Sequence, residues 1–402
     1  MRMGPLVLAA GLVALGAATA RIARGAEPDA FQKHMGAGVE ALRKGAPADA
    51  EPEFRAALAE AEQTKQRARQ TAALSLLAHS LEAQRKYGDA EAALGRALEA
   101  AEADLGANHP DVVTLLGRMG ALYRLEKKYD DAAATFERAR LTVTRLYGPA
   151  STRVAYFLYE QALTRHQQKQ NNMADLLARR AMKIYEDSGR SRGQPEMGMV
   201  LSLLGTIADD LGRLDEAETF HAQALQVAEA VFGPESFNTA ASLNNLANAY
   251  RKTAQYAKAN PLYERALGIL EKVAGADSPR LMLALGNLAA NRIGEGRFDE
   301  ADALLKRLLA IWNKSGAADA DDPTEVLGEC IKAYRYVKKD APADALQAEV
   351  ERIRRQAASR PAAAPPAPAP PPEPAPKAPP EPAPKGPPEP APRPPAGPPP
   401  SP

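Results

Sequence analysis

The chain has 402 residues, 51 basic against 50 acidic side chains, a single cysteine and only 5% aromatic residues. A net charge of +1 gives no field to gather nucleic acid or an anionic membrane, and the lone Cys330 excludes an internal disulfide and any paired-cysteine metal or redox motif. An interior drawn mostly from Ala and Leu suits close-packed helices better than sheets, which favour β-branched and aromatic residues.

The N terminus reads Met1-Arg2-Met3-Gly4 and then runs uncharged from Pro5 to Ala20. That run is shorter than the roughly 20 residues that span a bilayer as a helix. It closes on Ala18-Thr19-Ala20, before Arg21. A charged start, a short apolar stretch and small residues at the cut are the parts of a secretory signal. The expectation is a cleaved signal over 1–20 and a linker over 21–28. The mature chain is then exported, periplasmic or extracellular, with no membrane engaged after cleavage; an uncleaved N-terminal anchor is the alternative.

From 29 to 357 the sequence repeats itself. A small residue recurs at Ala50, Ala90, Ala132, Ala174, Ala217, Ala259, Ala301 and Ala343, spaced by 40, 42, 42, 43, 42, 42 and 42. Seven residues on stand Ala57, Ala97, Ala139, Ala181, Ala224 and Ala266, then Leu308 and Val350. Three residues before the first column stand Tyr87, Tyr129, Leu214, Tyr256 and Phe298. A large residue followed by a small one recurs earlier in the unit, as in Leu77-Ala78, Met119-Gly120, Leu204-Gly205, Leu246-Ala247 and Leu288-Ala289. Breaks between units fall at Gly106, Gly148-Pro149, Gly233-Pro234, Gly275 and Pro323, and breaks within units near Lys127, Gly212, Ala254 and Gly296. Each unit therefore reads as two amphipathic helices of about four turns joined by a tight turn. One hairpin cannot bury its apolar stripe alone, but stacked neighbours can. The expected fold is all-α: an α-solenoid of about eight helix-turn-helix units, or sixteen helices.

These columns resemble tetratricopeptide repeats, with a small residue in the first helix, an aromatic after the turn and two alanines in the second. The period resembles the longer variant of kinesin light chains, which exceeds the ordinary length of about 34 residues by roughly one helical turn per helix. The nearest local matches are Gly106-Ala107-Asn108-His109-Pro110-Asp111 and Leu243-Asn244-Asn245-Leu246-Ala247-Asn248-Ala249-Tyr250. The fourth unit departs, with Gln161 at the large position and Asn171 at the aromatic one, and the terminal units are irregular, as caps are. A HEAT or armadillo array has a similar period and is the alternative architecture.

No constellation for chemistry appears. Histidines at 34, 79, 109, 166 and 221 share no metal-ligand spacing, and the sequence holds no His-Glu-x-x-His, P-loop or nucleophile-elbow motif. Asp319, Asp321 and Asp322 lack the spacing and glycine of a calcium loop. The chain reads as a non-enzyme without metal or cofactor. What the resemblance implies instead is a peptide lying along the first helices of the units. Mapped onto this sequence, those helices contribute Asn244, Asn245, Asn248, Asn287 and Asn291, whose amides can both donate to and accept from a peptide backbone. Arg124, His166, Arg251 and Arg335 fall at equivalent places and form a broken basic stripe suited to an acidic peptide. A carboxylate clamp is rejected, because Glu325 and Glu329 stand where its basic residues belong.

The remainder, 358–402, is Pro and Ala with sparse charges, and 23 of the 35 prolines fall in the last 42 residues. Pro-Pro-Glu-Pro-Ala-Pro-Lys occurs twice, and a third copy ends in Arg393. Such a segment cannot bury a core and is expected to be a disordered, hydrated polyproline rod, read as a spacer ahead of a groove ligand. The sequence thus reads as an exported, non-catalytic scaffold for a protein or peptide partner. Two alternatives are an envelope spacer acting through the tail and a regulatory subunit of an enzyme assembly.

Overall fold

A computed structural model describes residues 28–189, 193–315 and 322–358. The expected signal segment and all but the first residue of the expected tail lie outside them. All regular structure among the described residues is helical. Sixteen α-helices follow one another: α1 (Ala30–Arg43), α2 (Pro47–Gln63), α3 (Arg67–Ala83), α4 (Tyr87–Leu105), α5 (Pro110–Leu125), α6 (Tyr129–Tyr147), α7 (Thr152–Gln167) and α8 (Asn171–Asp187), then α9 (Pro195–Asp210), α10 (Leu214–Phe232), α11 (Phe237–Lys252), α12 (Tyr256–Ala274), α13 (Met282–Gly294), α14 (Phe298–Lys314), α15 (Thr324–Tyr336) and α16 (Asp340–Ala358). They pair in sequence into eight units, each a first and a second helix, and no helix is long and apolar enough to cross a membrane among the described residues.

Local chemistry sets the ends. Asp29 and Gln32 form a reciprocal capping box at the start of α1, and Ser151 and Ser236 cap α7 and α11 through their hydroxyls. The turn inside each unit places one residue at positive φ: Gly45, Arg85, Lys127, Lys169, Gly212, Ala254, Gly296 and Lys338. Their spacing repeats that of the alanine column. Five of the eight are not glycine, with φ from 56° to 62°, in a region that costs an L-residue about 1–2 kcal/mol. The turn is held nonetheless, because the next amide bonds back to a carbonyl of the final helical turn, as Lys128 N–H does to Tyr123 C=O at 2.8 Å.

Packing explains the columns. All eight alanines of the first column have no exposed surface, and the second column is at most 2% exposed. In three units a glycine at the small position of the first helix is matched by a ring on the second. Gly38 and Gly120 face Phe54 and Phe136, and Gly205 faces His221 so closely that an added Cβ would stand 2.5 Å from the imidazole. Neighbouring second helices are pinned in register by a recurring ion pair: Arg96–Glu62, Arg138–Glu102, Arg265–Glu229 and Arg307–Glu271. Such exposed pairs are worth only about 0–1 kcal/mol each, so they select register while apolar burial supplies the stability.

The apolar interior falls into two clusters, one from Phe31 to Val227 and one from Ala240 to Ile353. Between them lies the start of α11, where buried Thr239 donates from its hydroxyl to Gly233 C=O at 2.7 Å. One turn on, buried Ser242 takes the place that Leu115, Phe157 and Val200 fill in other units.

Candidate partner groove

The first helices of successive units lie side by side, and helical spacing puts three or four side chains of each on one stripe. Two kinds of position must be separated along that stripe. Arg124, His166, Asp209 and Arg251 occupy the seam between adjacent first helices. Arg124 meets Glu160 of α7 at 2.6 Å, with both side chains largely buried. His166 stands 3.8 Å from Asp210 of α9 and 3.1 Å from Asn171 Oδ1. Asp209 stands 3.5 Å from His221 and 3.2 Å from Lys252 of α11. Burial works against the ionised form of Asp209, yet His221 and Lys252 outweigh it and hold the carboxyl below its ordinary value. Glu82 is the opposite case: burial raises its carboxyl, and Arg118 at 3.3 Å offsets this only in part.

The open side of the stripe lies next to these seam positions. It carries half-buried Tyr159 and Leu163 on α7, half-buried Ser202 and Thr206 with exposed Met199 and Asp210 on α9, and half-buried Asn245 and Asn248 with exposed Lys252 on α11. Met199, Asp210 and Lys252 were not among the expected contact residues. Asp210 and Lys252 sit one residue beyond the repeat position shared by Arg124, His166 and Arg251, and Met199 one turn before Ser202, and a period of 3.6 does not resolve that difference.

The expected amides divide. Asn248 accepts from Tyr263 Oη at 2.6 Å, and Asn245 makes no side-chain hydrogen bond among the described residues. Asn244 and Asn287, 8% and 4% exposed, are spent on each other: Asn287 Nδ2 donates to Asn244 Oδ1 at 3.1 Å. Asn291 has no exposed surface and donates to Asn260 Oδ1 at 2.7 Å and to Tyr256 C=O at 3.2 Å. It ties α13 to α12 and presents no surface to solvent. The basic side chains are not a bare stripe either: each faces a carboxylate of this chain. For Arg251 the partner is Glu329 at 3.9 Å, and for exposed Arg335 it is Asp344 at 3.8 Å.

The described residues hold no group of three or more His, Cys, Asp or Glu side chains placed to bind a metal ion. Cys330 is fully buried, and burial pushes its thiol up to about 12, which keeps it neutral and unreactive in the closed fold.

The family model of the tetratricopeptide repeat matches residues 69–140, 111–187 and 196–272. The chain is a tetratricopeptide repeat protein, an array of which is a protein-interaction scaffold. No curated protein matches it in sequence. Among solved structures it is similar to the apo form of RapI, at 15% identity over 71% of this chain and 98% of that one, with a TM-score of 0.55. It is also similar to the ATPase with a tetratricopeptide repeat sensor from Pyrococcus horikoshii, at 17% identity over 80% of this chain and 47% of that one, with a TM-score of 0.54. A third similar structure is BtubC from P. vanneervenii, at 20% identity over 57% of this chain and 92% of that one, with a TM-score of 0.51. Identities this low establish a shared fold.

Proposed function

We propose that this protein is exported and holds an extended segment of a partner protein along the first helices of units four to six. The carrying observation is the open stripe itself. It combines apolar surface at Tyr159, Leu163 and Met199 with amides and hydroxyls at Asn245, Asn248, Ser202 and Thr206. Groups of the second kind pair with a peptide backbone whatever its side chains are. Arg251 stands 3.9 Å from Glu329, beyond the roughly 2.7–2.9 Å of a charge-assisted hydrogen bond. A carboxylate of an acidic partner segment therefore has a cation to draw away from a weak internal partner.

The test is capture of a partner from an envelope extract by the full chain, followed by mapping of the bound segment with overlapping peptides. With the mapped peptide, Asn248→Ala is expected to weaken binding about tenfold, since lost contacts leave backbone groups unpaired. Leu163→Asp is expected to abolish it. Affinity unchanged in both variants, with helical content intact, would place the partner elsewhere. Export has its own measurement: protein from the cells of origin should begin at or near Arg21.

A further inference from the structure

Along α7, α9 and α11 the side chains of the open stripe keep part of their surface free. α13 breaks this pattern. At the repeat positions of Tyr159 and Leu163 it carries Gly286 and Ala290, both buried, as is Asn287 at the place of Asn245; Gly294, at the place of Asp210 and Lys252, is half-buried, and only Leu283, near the start of the helix, is exposed. What covers them is α15, which packs on α13 more extensively than any other pair of neighbouring first helices among the described residues. Val326 occupies the space that a Cβ on Gly286 would need. The Cys330 thiol donates to Gly286 C=O at 3.3 Å. Glu329 reaches past α13 to Arg251 of α11. The other ion pairs between first helices join adjacent units, as Arg118–Glu82, Arg124–Glu160 and Lys252–Asp209 do; this one skips a unit. Val326, Glu329 and Cys330 stand at i, i+3 and i+4 and so share one helical face. The seat is imperfect, because Arg251 Nε is buried without a partner.

We propose that α11 and α13 form a helix-accepting site which the chain fills with its own α15. A partner helix with an apolar residue, an acidic residue three on and a small residue next to it displaces α15 and takes over Arg251. The proposal rests on the first-helix side being the partner face, and adds that this side is self-occupied at unit seven. Gly286 and Ala290 let a helix backbone come close, Arg251 selects for acid, and the occupant already present displays the matching chemistry.

Cys330, the only cysteine in the chain, reports on the contact directly. In the full-length protein its modification by a thiol reagent at pH 8 is expected to proceed through release of α15, with a much weaker urea dependence than global unfolding. Glu329→Lys, which sets two cations against each other, is expected to raise the rate at least tenfold. A labelled peptide spanning residues 323–339, with serine in place of the cysteine, is then added to full-length protein carrying Val326→Asp and Glu329→Lys. It is expected to bind that variant at least tenfold more tightly than wild type, and to lose binding when Arg251→Glu is added. Labelling of wild-type Cys330 only at the rate and urea dependence of global unfolding overturns the proposal, as does equal peptide affinity for wild type and variant. Because neither readout needs the natural partner, failure here removes the self-occupied site and leaves the groove of units four to six to its own test.

Discussion

Replacing Gly120 with alanine pits two effects of similar size against each other. An ideal Cβ at this position would lie 2.6 Å from Cε1 and 2.8 Å from Cδ1 of Phe136, whereas carbons rest at about 3.5–4.0 Å. The ring must therefore retreat by about 1 Å, and it has no exposed surface into which to move. Overpacking of this kind costs about 1–3 kcal/mol. The methyl group returns about 1 kcal/mol through helix propensity and reduced entropy of the unfolded chain. The net expectation for Gly120→Ala is a loss of about 0–2 kcal/mol. Phe136→Leu alone leaves a small void, costing about 1 kcal/mol. Together the two changes recreate the Ala78–Leu94 pair of unit two, so the double variant should lie within about 0.5 kcal/mol of wild type, a coupling of about 2 kcal/mol. The assay is urea unfolding by far-UV circular dichroism for all four members of the cycle, together with hydrogen exchange in α5 and α6 to confirm that the loss is local. A midpoint raised by Gly120→Ala, or losses that simply add in the double variant, would refute the steric account of the glycine column.

Three further outcomes follow from the same structure. Ala254→Gly relieves a residue held at φ 56° and is expected to stabilise by about 0.5–1 kcal/mol, read as a raised thermal midpoint; a lowered midpoint would mean that unfolded-chain entropy outweighs the strain. Arg124→Met strands the buried Glu160 carboxylate at a cost of about 3 kcal/mol, and adding Glu160→Met should recover most of that loss in the same denaturation assay. Glu137 is held below its ordinary carboxylate value, chiefly by its hydrogen bond from Arg140 and also by one from Gln161 at 2.8 Å. A carboxyl whose folded pKa is depressed lends stability above the unfolded pKa of about 4.3 and loses it as pH falls through the folded value. Glu137→Gln should therefore melt below wild type at pH 7 and converge with it in acid; melting profiles that stay parallel across that range would show that the carboxylate contributes nothing.

The architecture was legible in the sequence because each repeat carries several kinds of signal at once. The alanine columns report where helices cross, and the breaks near Lys127 and Ala254 coincide with left-handed turn residues although neither is glycine. The groove was legible only to within one helical position. Asn244 and Asn248 are both four-residue neighbours on the same stripe, yet one lies in the seam against Asn287 and the other opens beside Tyr263. Which of them falls in the seam depends on how far each hairpin rotates against the next, and rotation comes from side-chain volumes summed across a whole interface. Likewise, the charges of Arg251 and Glu329 are plain in the sequence, but nothing in a 42-residue period announces contact at 78 residues' separation across an intervening unit. The match of Gly120 to Phe136 is similarly silent until the two helices are packed.

The polar seam at the start of α11 bears on how the protein behaves while it is being made. A chain synthesised from its N terminus has completed the first apolar cluster once α10 has emerged, with the last three units still to come. The nascent end then waiting for its continuation must meet a helix whose approaching side carries Thr239 and Ser242 where other units present leucine, phenylalanine or valine. Apolar surface at this junction between the two clusters is thus lower than at the corresponding place in units three to five. A nascent chain that ends there offers less apolar surface to other chains, and so less occasion for clumping.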